Sequence, residues 1–130
     1  AKDLGIEKQV FLPGRIENIP DFLNQMDIFI LSSDSEQHPN ALNEAMACKV
    51  AAIATRVGCV DDLMNNGNCG TIIEPGDVNS LEKAIWDYAN NPDLIARMAH
   101  AGLNHVRVNY SLDVMIRRYR KLYLMTASKS

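Results

Sequence analysis

No apolar stretch in this chain approaches the roughly 20 residues that a membrane-spanning helix requires, and its opening residues do not read as a signal peptide. A basic excess is also missing. The 13 Lys and Arg set against 16 Asp and Glu leave a formal charge of −3, the reverse of the footprint of nucleic-acid binding, so no nucleic-acid partner is expected. Cysteine is scarce. Cys48, Cys59 and Cys69 are odd in number and lack a C-x-x-C spacing, which argues against a disulfide frame or a zinc site and for reduced thiols in a cytoplasmic protein. There is no internal repeat, low-complexity segment or interior linker. What remains is 130 residues, 47% of them apolar, enough for one domain with a core of its own.

Periodicity then divides the chain. Gly5 reads as a helix stop. Gln9 to Leu12 reads as a first strand ended by Pro13-Gly14, and Ile19 to Met26 as a short crossover helix. Asp27 to Leu31 is a short, β-branched and apolar run, suited to a strand buried on both faces. Val50 to Thr55 and Cys69 to Ile73 read as two more strands, with a short helix over Val60 to Met64 between them. From Val78 the period becomes helical. Leu81, Ala84, Ile85 and Tyr88 mark one amphipathic helix, Pro92 to Asn109 a second, and Leu112, Met115, Ile116, Tyr119, Leu122 and Tyr123 the apolar stripe of a third. About four strands alternating with helices give an α/β fold with a parallel sheet.

The stretch with chemical content is Ser32 to Met46, between the second strand and a run of good helix formers. Pro39 fits the first helical position, where its missing N–H costs nothing. A helix that starts directly after a buried strand puts free amides at the carboxyl edge of the sheet, where open α/β sheets bind ligands and anions are favoured. Glu36 in the loop and Glu44 about one turn inside the helix flank that start and should face one crevice. Small residues at Val57-Gly58-Cys59 let backbone approach a ligand.

This wording, Ser-Ser-x-Ser-Glu36-x-x-Pro-Asn-Ala-Leu-x-Glu44-Ala-Met-Ala-Cys, resembles the signature of the retaining, nucleotide-sugar-dependent glycosyltransferases of family 4. Ala54-Thr55-x-Val57-Gly58 and Gly70-Thr71-Ile72-Ile73-x-Pro75-Gly76-Asp77 resemble the same family in the same order. The resemblance covers nearly the whole chain. It implies the GT-B architecture of two Rossmann-like domains, with residues 1–130 forming a single partial nucleotide-sugar-binding domain that lacks the acceptor domain and its own first strands. The isolated chain is then expected to be inactive, and its exposed sheet edge to favour self-association.

By that resemblance, Glu36 is the catalytic candidate at the donor sugar, and Glu44 accepts hydrogen bonds from the ribose, its two oxygens suiting vicinal hydroxyls. His38, Pro39, Asn40, Ala41 and Leu42 would meet the sugar and diphosphate, mainly through backbone amides. Gly14 and Arg15 take the positions that pass near the base. No metal or cofactor is implied beyond the nucleotide-diphosphate sugar itself, and Asp61-Asp62 lacks the Asp-x-Asp spacing used by the other major transferase architecture. Gln37, Lys49, Ala51, Cys59 and Asp62 depart from the family pattern, Gln37 and Lys49 where glycine is usual. The acceptor, whether glycan, lipid or small molecule, is not marked. Arg117, Arg118, Arg120 and Lys121 form a basic cluster whose ordinary setting is a solvated face, with peripheral contact to an anionic membrane as the further option. Two alternatives stand beside the transferase reading: a non-catalytic nucleotide-sugar binding module, and a GT-B relative such as a nucleotide-sugar epimerase.

Overall fold

The sequence Ala51-Ala-Ile-Ala-Thr55 supplies small and β-branched side chains on alternate faces, which is what a central strand buried on both sides requires. The computed structural model, which describes residues 1–127, places this strand, β2 (Ala51–Thr55), at the centre with all five residues buried. It pairs in parallel with β1 (Ile28–Leu31) on one side and β3 (Thr71–Ile73) on the other, in the order β1-β2-β3. The register sets Ile30 against Ile53 and Thr55 against Ile73.

Helices cover both faces. α1 (Ile19–Leu23) leads into β1, α2 (Asn40–Ala47) links β1 to β2, and α3 (Val60–Leu63) lies between β2 and β3. α4 (Val78–Ala89), α5 (Pro92–Asn109) and α6 (Leu112–Ala127) follow. Alternation along β2 splits the core. Ala52 and Ala54 pack with Leu42, Met46, Val60, Leu63, Met64 and Val106, whereas Ala51 and Ile53 pack with Ile73, Ala84, Tyr88 and Ala99. The alanines let helices approach closely, and each fully buried Ile, Leu or Met contributes roughly 1.5–3 kcal/mol.

Three strands form rather than about four. Glu7–Gln9 is a 3-10 turn, and Val10 beyond it has extended dihedrals, yet Phe11 and Leu12 remain 81% and 86% exposed. An extended segment becomes a strand only with a ladder partner, and among the described residues none lies beside it. Pro39 is likewise the N-cap of α2, not its first helical residue; its carbonyl accepts from Leu42 and Asn43 N at 3.1 and 3.4 Å. The apolar stripe of α6 exists but is uncovered, with Leu112, Ile116, Tyr119 and Tyr123 all more than half exposed.

Two local features give measurable consequences. Lys49, which follows α2 and occupies a position where the resembled family carries glycine, is held at φ 61, a conformation that costs a side-chain-bearing residue roughly 1–2 kcal/mol. Lys49→Gly is expected to raise stability by up to about 1 kcal/mol after the added freedom of the unfolded chain is subtracted, read as a later midpoint in urea; an unchanged or earlier midpoint contradicts it. Tyr88 is buried, its hydroxyl donating to Ala52 O at 3.4 Å and accepting from Thr71 Oγ1 at 3.2 Å. Burial pushes its phenol above the ordinary value, with the Thr71 contacts opposing. The neutral form is therefore the one that folds: this contribution is intact below pH of about 10 and is lost as pH rises through the raised value. Tyr88→Phe should lose about 1 kcal/mol at neutral pH and show a shallower alkaline decline than the parent chain.

Candidate functional site

The loop from Ser32 to Pro39 leaves the carboxyl end of β1 and is fastened from the end of β2. Thr55, itself 3% exposed, donates its hydroxyl to Ser33 O at 2.6 Å and to Leu31 O at 3.3 Å. Parallel pairing puts Thr55 one residue past the Leu31–Ala54 pair, so its hydroxyl reaches the carbonyl of the last residue of β1 and that of Ser33 just beyond it. Cys59 N donates to Gln37 O at 3.1 Å. Between them Gly58 sits at φ 53, and a Cβ there would lie 2.4 Å from both Glu36 O and Gln37 O. The backbone that approaches Gly58 is therefore the chain's own Glu36-Gln37 segment.

On this anchored loop the half-buried Glu36 accepts a hydrogen bond from Ser33 Oγ at 2.9 Å through Oε1. One hydrogen bond to one oxygen leaves the second oxygen of the carboxylate with its accepting capacity. Glu44 is exposed on α2 and makes no side-chain hydrogen bond or ion pair among the described residues. Of the amides at the helix start, Leu42 already donates to Pro39 O, and its side chain is fully buried. The amides of His38, Asn40 and Ala41 have no acceptor among the described residues. Pro39 is buried. Gly14 and Arg15 lie exposed in the segment before α1, with open space around Gly14.

Two concavities flank the loop. A cleft of about 370 Å³ runs between the start of α2 and the bend from α5 into α6, lined by His38, Asn40, Asn43, Asn109, Tyr110, Met115, Arg118 and Tyr119. Tyr110 lines it, edge-on to His38 at 6.2 Å between ring centroids and 5.7 Å from His105. Burial pushes its phenol up, helped by Asp62 and Cys59 and opposed by Arg118. His105 fixes this corner: Nε2 donates to Asp62 O at 3.2 Å, and Nδ1 accepts from Asn109 Nδ2 at 3.2 Å. A carbonyl can only accept, so these two contacts together select the Nε2–H tautomer. The second concavity, about 190 Å³, opens at the ends of β1 and β3 and carries Ser32, Asp34, Thr55, Glu74 and Asp77. Beside it Arg56 bridges Glu74 at 2.7 Å and also pairs with Asp61. No group of three or more His, Cys, Asp or Glu among the described residues is placed to hold a metal ion.

Ser33, Thr55 and the tight contact at Gly58 were not singled out as site residues by sequence reasoning, since each acts through a partner that only folding brings near. They generate a test. Thr55→Val removes one donor from two carbonyls and is expected to lower stability by about 1–3 kcal/mol, whereas Gly58→Ala must displace the 36–37 backbone and should shift the amide resonances of residues 33–39 well beyond those of α4 and α5. Unchanged resonances in the Gly58 variant would contradict the fastening.

The matching family model is that of the glycosyl transferases group 1, which covers residues 1–105. The N-acetyl-alpha-D-glucosaminyl L-malate synthase of Bacillus anthracis is 28% identical over 123 residues, spanning 95% of this chain and 32% of the relative. A glycosyltransferase structure from Rickettsia africae superposes with a TM-score of 0.91 at 25% identity, over 99% of this chain and 35% of that one. HepE of Anabaena, solved with UDP and glucose, shares the fold at a TM-score of 0.82 and 22% identity, over 97% of this chain and 34% of its own. The chain thus spans about a third of the length of these relatives. With the model matched from residue 1 to 105 and the anchored Glu36 loop in place, this chain belongs to the group 1 glycosyl transferases.

Proposed function

We propose that this chain is the later part of the donor domain of a retaining glycosyltransferase, holding half of the site for a nucleotide-diphosphate sugar. The observation that carries the reading is the Glu36 carboxylate, half-buried at the carboxyl edge of the sheet on a loop fastened by Thr55 and Gly58 and oriented by Ser33. Glycosyl transfer needs groups that hold sugar hydroxyls and stabilise positive charge near the anomeric carbon. Glu36 supplies a fixed negative charge with one oxygen still unengaged. Glu44, exposed one turn into α2, binds the ribose diol, and the amides of His38, Asn40 and Ala41 receive oxygens of the sugar and diphosphate. Gly14 and Arg15 meet the base. Binding of UDP by a neighbour of the same fold, HepE, supports a nucleotide donor.

Residues 1–130 are a partial domain in this reading. The rest of the diphosphate site and the acceptor domain belong to a longer protein, consistent with the chain matching about a third of its relatives, and the isolated chain does not turn over. No helix among the described residues is long and apolar enough to cross a membrane. Action in the cytoplasm, with any membrane contact peripheral, is a separate part of the proposal.

The test is made in the longer protein. Glu36→Gln should lower kcat by about 10²-fold or more, since it removes a charge aimed at the transition state. Glu44→Gln should raise the donor KM about tenfold with kcat little changed, the pattern of lost uniform binding. Near-normal turnover in the Glu36 variant overturns the assignment.

A further inference from the structure

The fastening by Thr55, Gly58 and Cys59 stops at residue 37. Cys59 N donates to Gln37 O, and the next fixed point along the chain is Leu42, fully buried, with its amide on Pro39 O. Between them the amides of His38, Asn40 and Ala41 have no acceptor among the described residues. No backbone hydrogen bond to another described element holds this turn. A side chain from the end of α5 does reach it. The exposed His38 ring stands edge-on to Tyr110, 6.2 Å between centroids and 64° between planes, inside the roughly 4.5–7 Å range over which rings attract in this arrangement.

Tyr110 is itself held from several sides. It is the C-cap of α5, with its amide on Val106 O at 2.8 Å, and its ring packs against the buried cluster that contains Leu42 and Met46 of α2 and Val106 of α5. His105, 5.7 Å from it between ring centroids, is tied to α3 through Asp62 O and to Asn109. The phenol ring is therefore fixed to α2, α3 and α5 together, and a ring already locked by packing orients its neighbour at little further cost in entropy. Such support matters at a reacting centre, where a displacement of about 1 Å costs on the order of 100-fold in rate. We infer that Tyr110 is a positioning residue for the donor site, which acts through the His38 ring to set the direction of the His38, Asn40 and Ala41 amides. That these amides meet the donor rests on the reading above; that Tyr110 holds the turn does not.

The experiment has two arms. In this chain, 15N relaxation of Tyr110→Leu, which keeps apolar volume against the core and removes the ring, should give lower order parameters at His38, Asn40 and Ala41, with Ser33, Glu36 and Gln37 unchanged. Tyr110→Phe keeps the ring and should keep the parent values. In the longer protein, kcat/KM for the donor should fall about fivefold in Tyr110→Leu, the worth of one edge-on ring contact, and stay within about twofold of the parent in Tyr110→Phe. His38→Ala removes the other ring from an exposed position, so folding is not at stake. It should fall as far as Tyr110→Leu, and the double variant no further than either, because both changes delete one interaction. Unchanged order parameters at His38, Asn40 and Ala41, a loss spread evenly over the loop, additive losses in the double variant, or a loss in Tyr110→Phe as large as in Tyr110→Leu would each overturn the inference. Order parameters lowered as expected, with donor kcat/KM unmoved in every variant, would instead count against the donor reading and leave the hold of Tyr110 on the turn standing.

Discussion

The Thr55 hydroxyl is the contact on which the arrangement depends. It closes the end of β2 onto carbonyls of the β1 loop at 2.6 and 3.3 Å, in a setting where almost no water can substitute for it. Leu31 and Ser33 are half-buried, and a carbonyl shielded there without a donor costs more than a hydrogen bond ordinarily contributes, which favours this position of the loop. Gly58 then fixes how close the next turn comes, and the Cys59 amide closes the third side. Glu36 is therefore held by a scaffold of strand ends, although it lies on a loop. Functional carboxylates need this kind of support, since a group that wanders loses most of its electrostatic effect on a reacting centre.

The same economy runs through the layers beneath. Alanines at 51, 52 and 54 bring α2 and the later part of α5 close on one face and α4 with the earlier part of α5 on the other, which gives the three-stranded sheet an apolar core on each face. The start of α2 consequently lies directly above the buried end of the sheet, with amides of Asn40 and Ala41 unclaimed. Away from this layered part, α6 carries its apolar stripe exposed. Only Val114 of that helix is buried, so its place is set near the bend and not along its length.

Much of this was legible in the sequence because it is local. The apolar run before Ser32, the helix formers after Pro39 and the spacing of Leu81, Ala84 and Tyr88 each produce the element their period requires. Family wording singled out Glu36 and Glu44, and the elements around them put one on the loop after β1 and the other in α2. What could not be read is what depends on distant partners. Gln9 to Leu12 has the composition of a strand but no neighbour to pair with among the described residues, so composition overstated the sheet. Val57-Gly58-Cys59 read as a loop open to a ligand, yet the residue pair it meets is Glu36-Gln37, more than twenty positions earlier. Lys49 gave no sign of its left-handed backbone beyond standing where glycine is usual. Arg118 looked like one member of a solvated basic run; the bend at Tyr110 turns it towards the cleft, while Arg117, Arg120 and Lys121 line a different side of the helix.

We propose that the loop and first turn around Glu36 and Glu44 form the donor side of a glycosyl-transfer site. A crystal structure of the longer protein bound to a nucleotide-diphosphate sugar tests it most directly. The account predicts ribose hydroxyls within hydrogen-bond distance of the Glu44 carboxylate, sugar hydroxyls against Glu36, and a phosphate or sugar oxygen on the amides of Asn40 and Ala41. A nucleotide sugar seated elsewhere, with both carboxylates facing solvent, would contradict it.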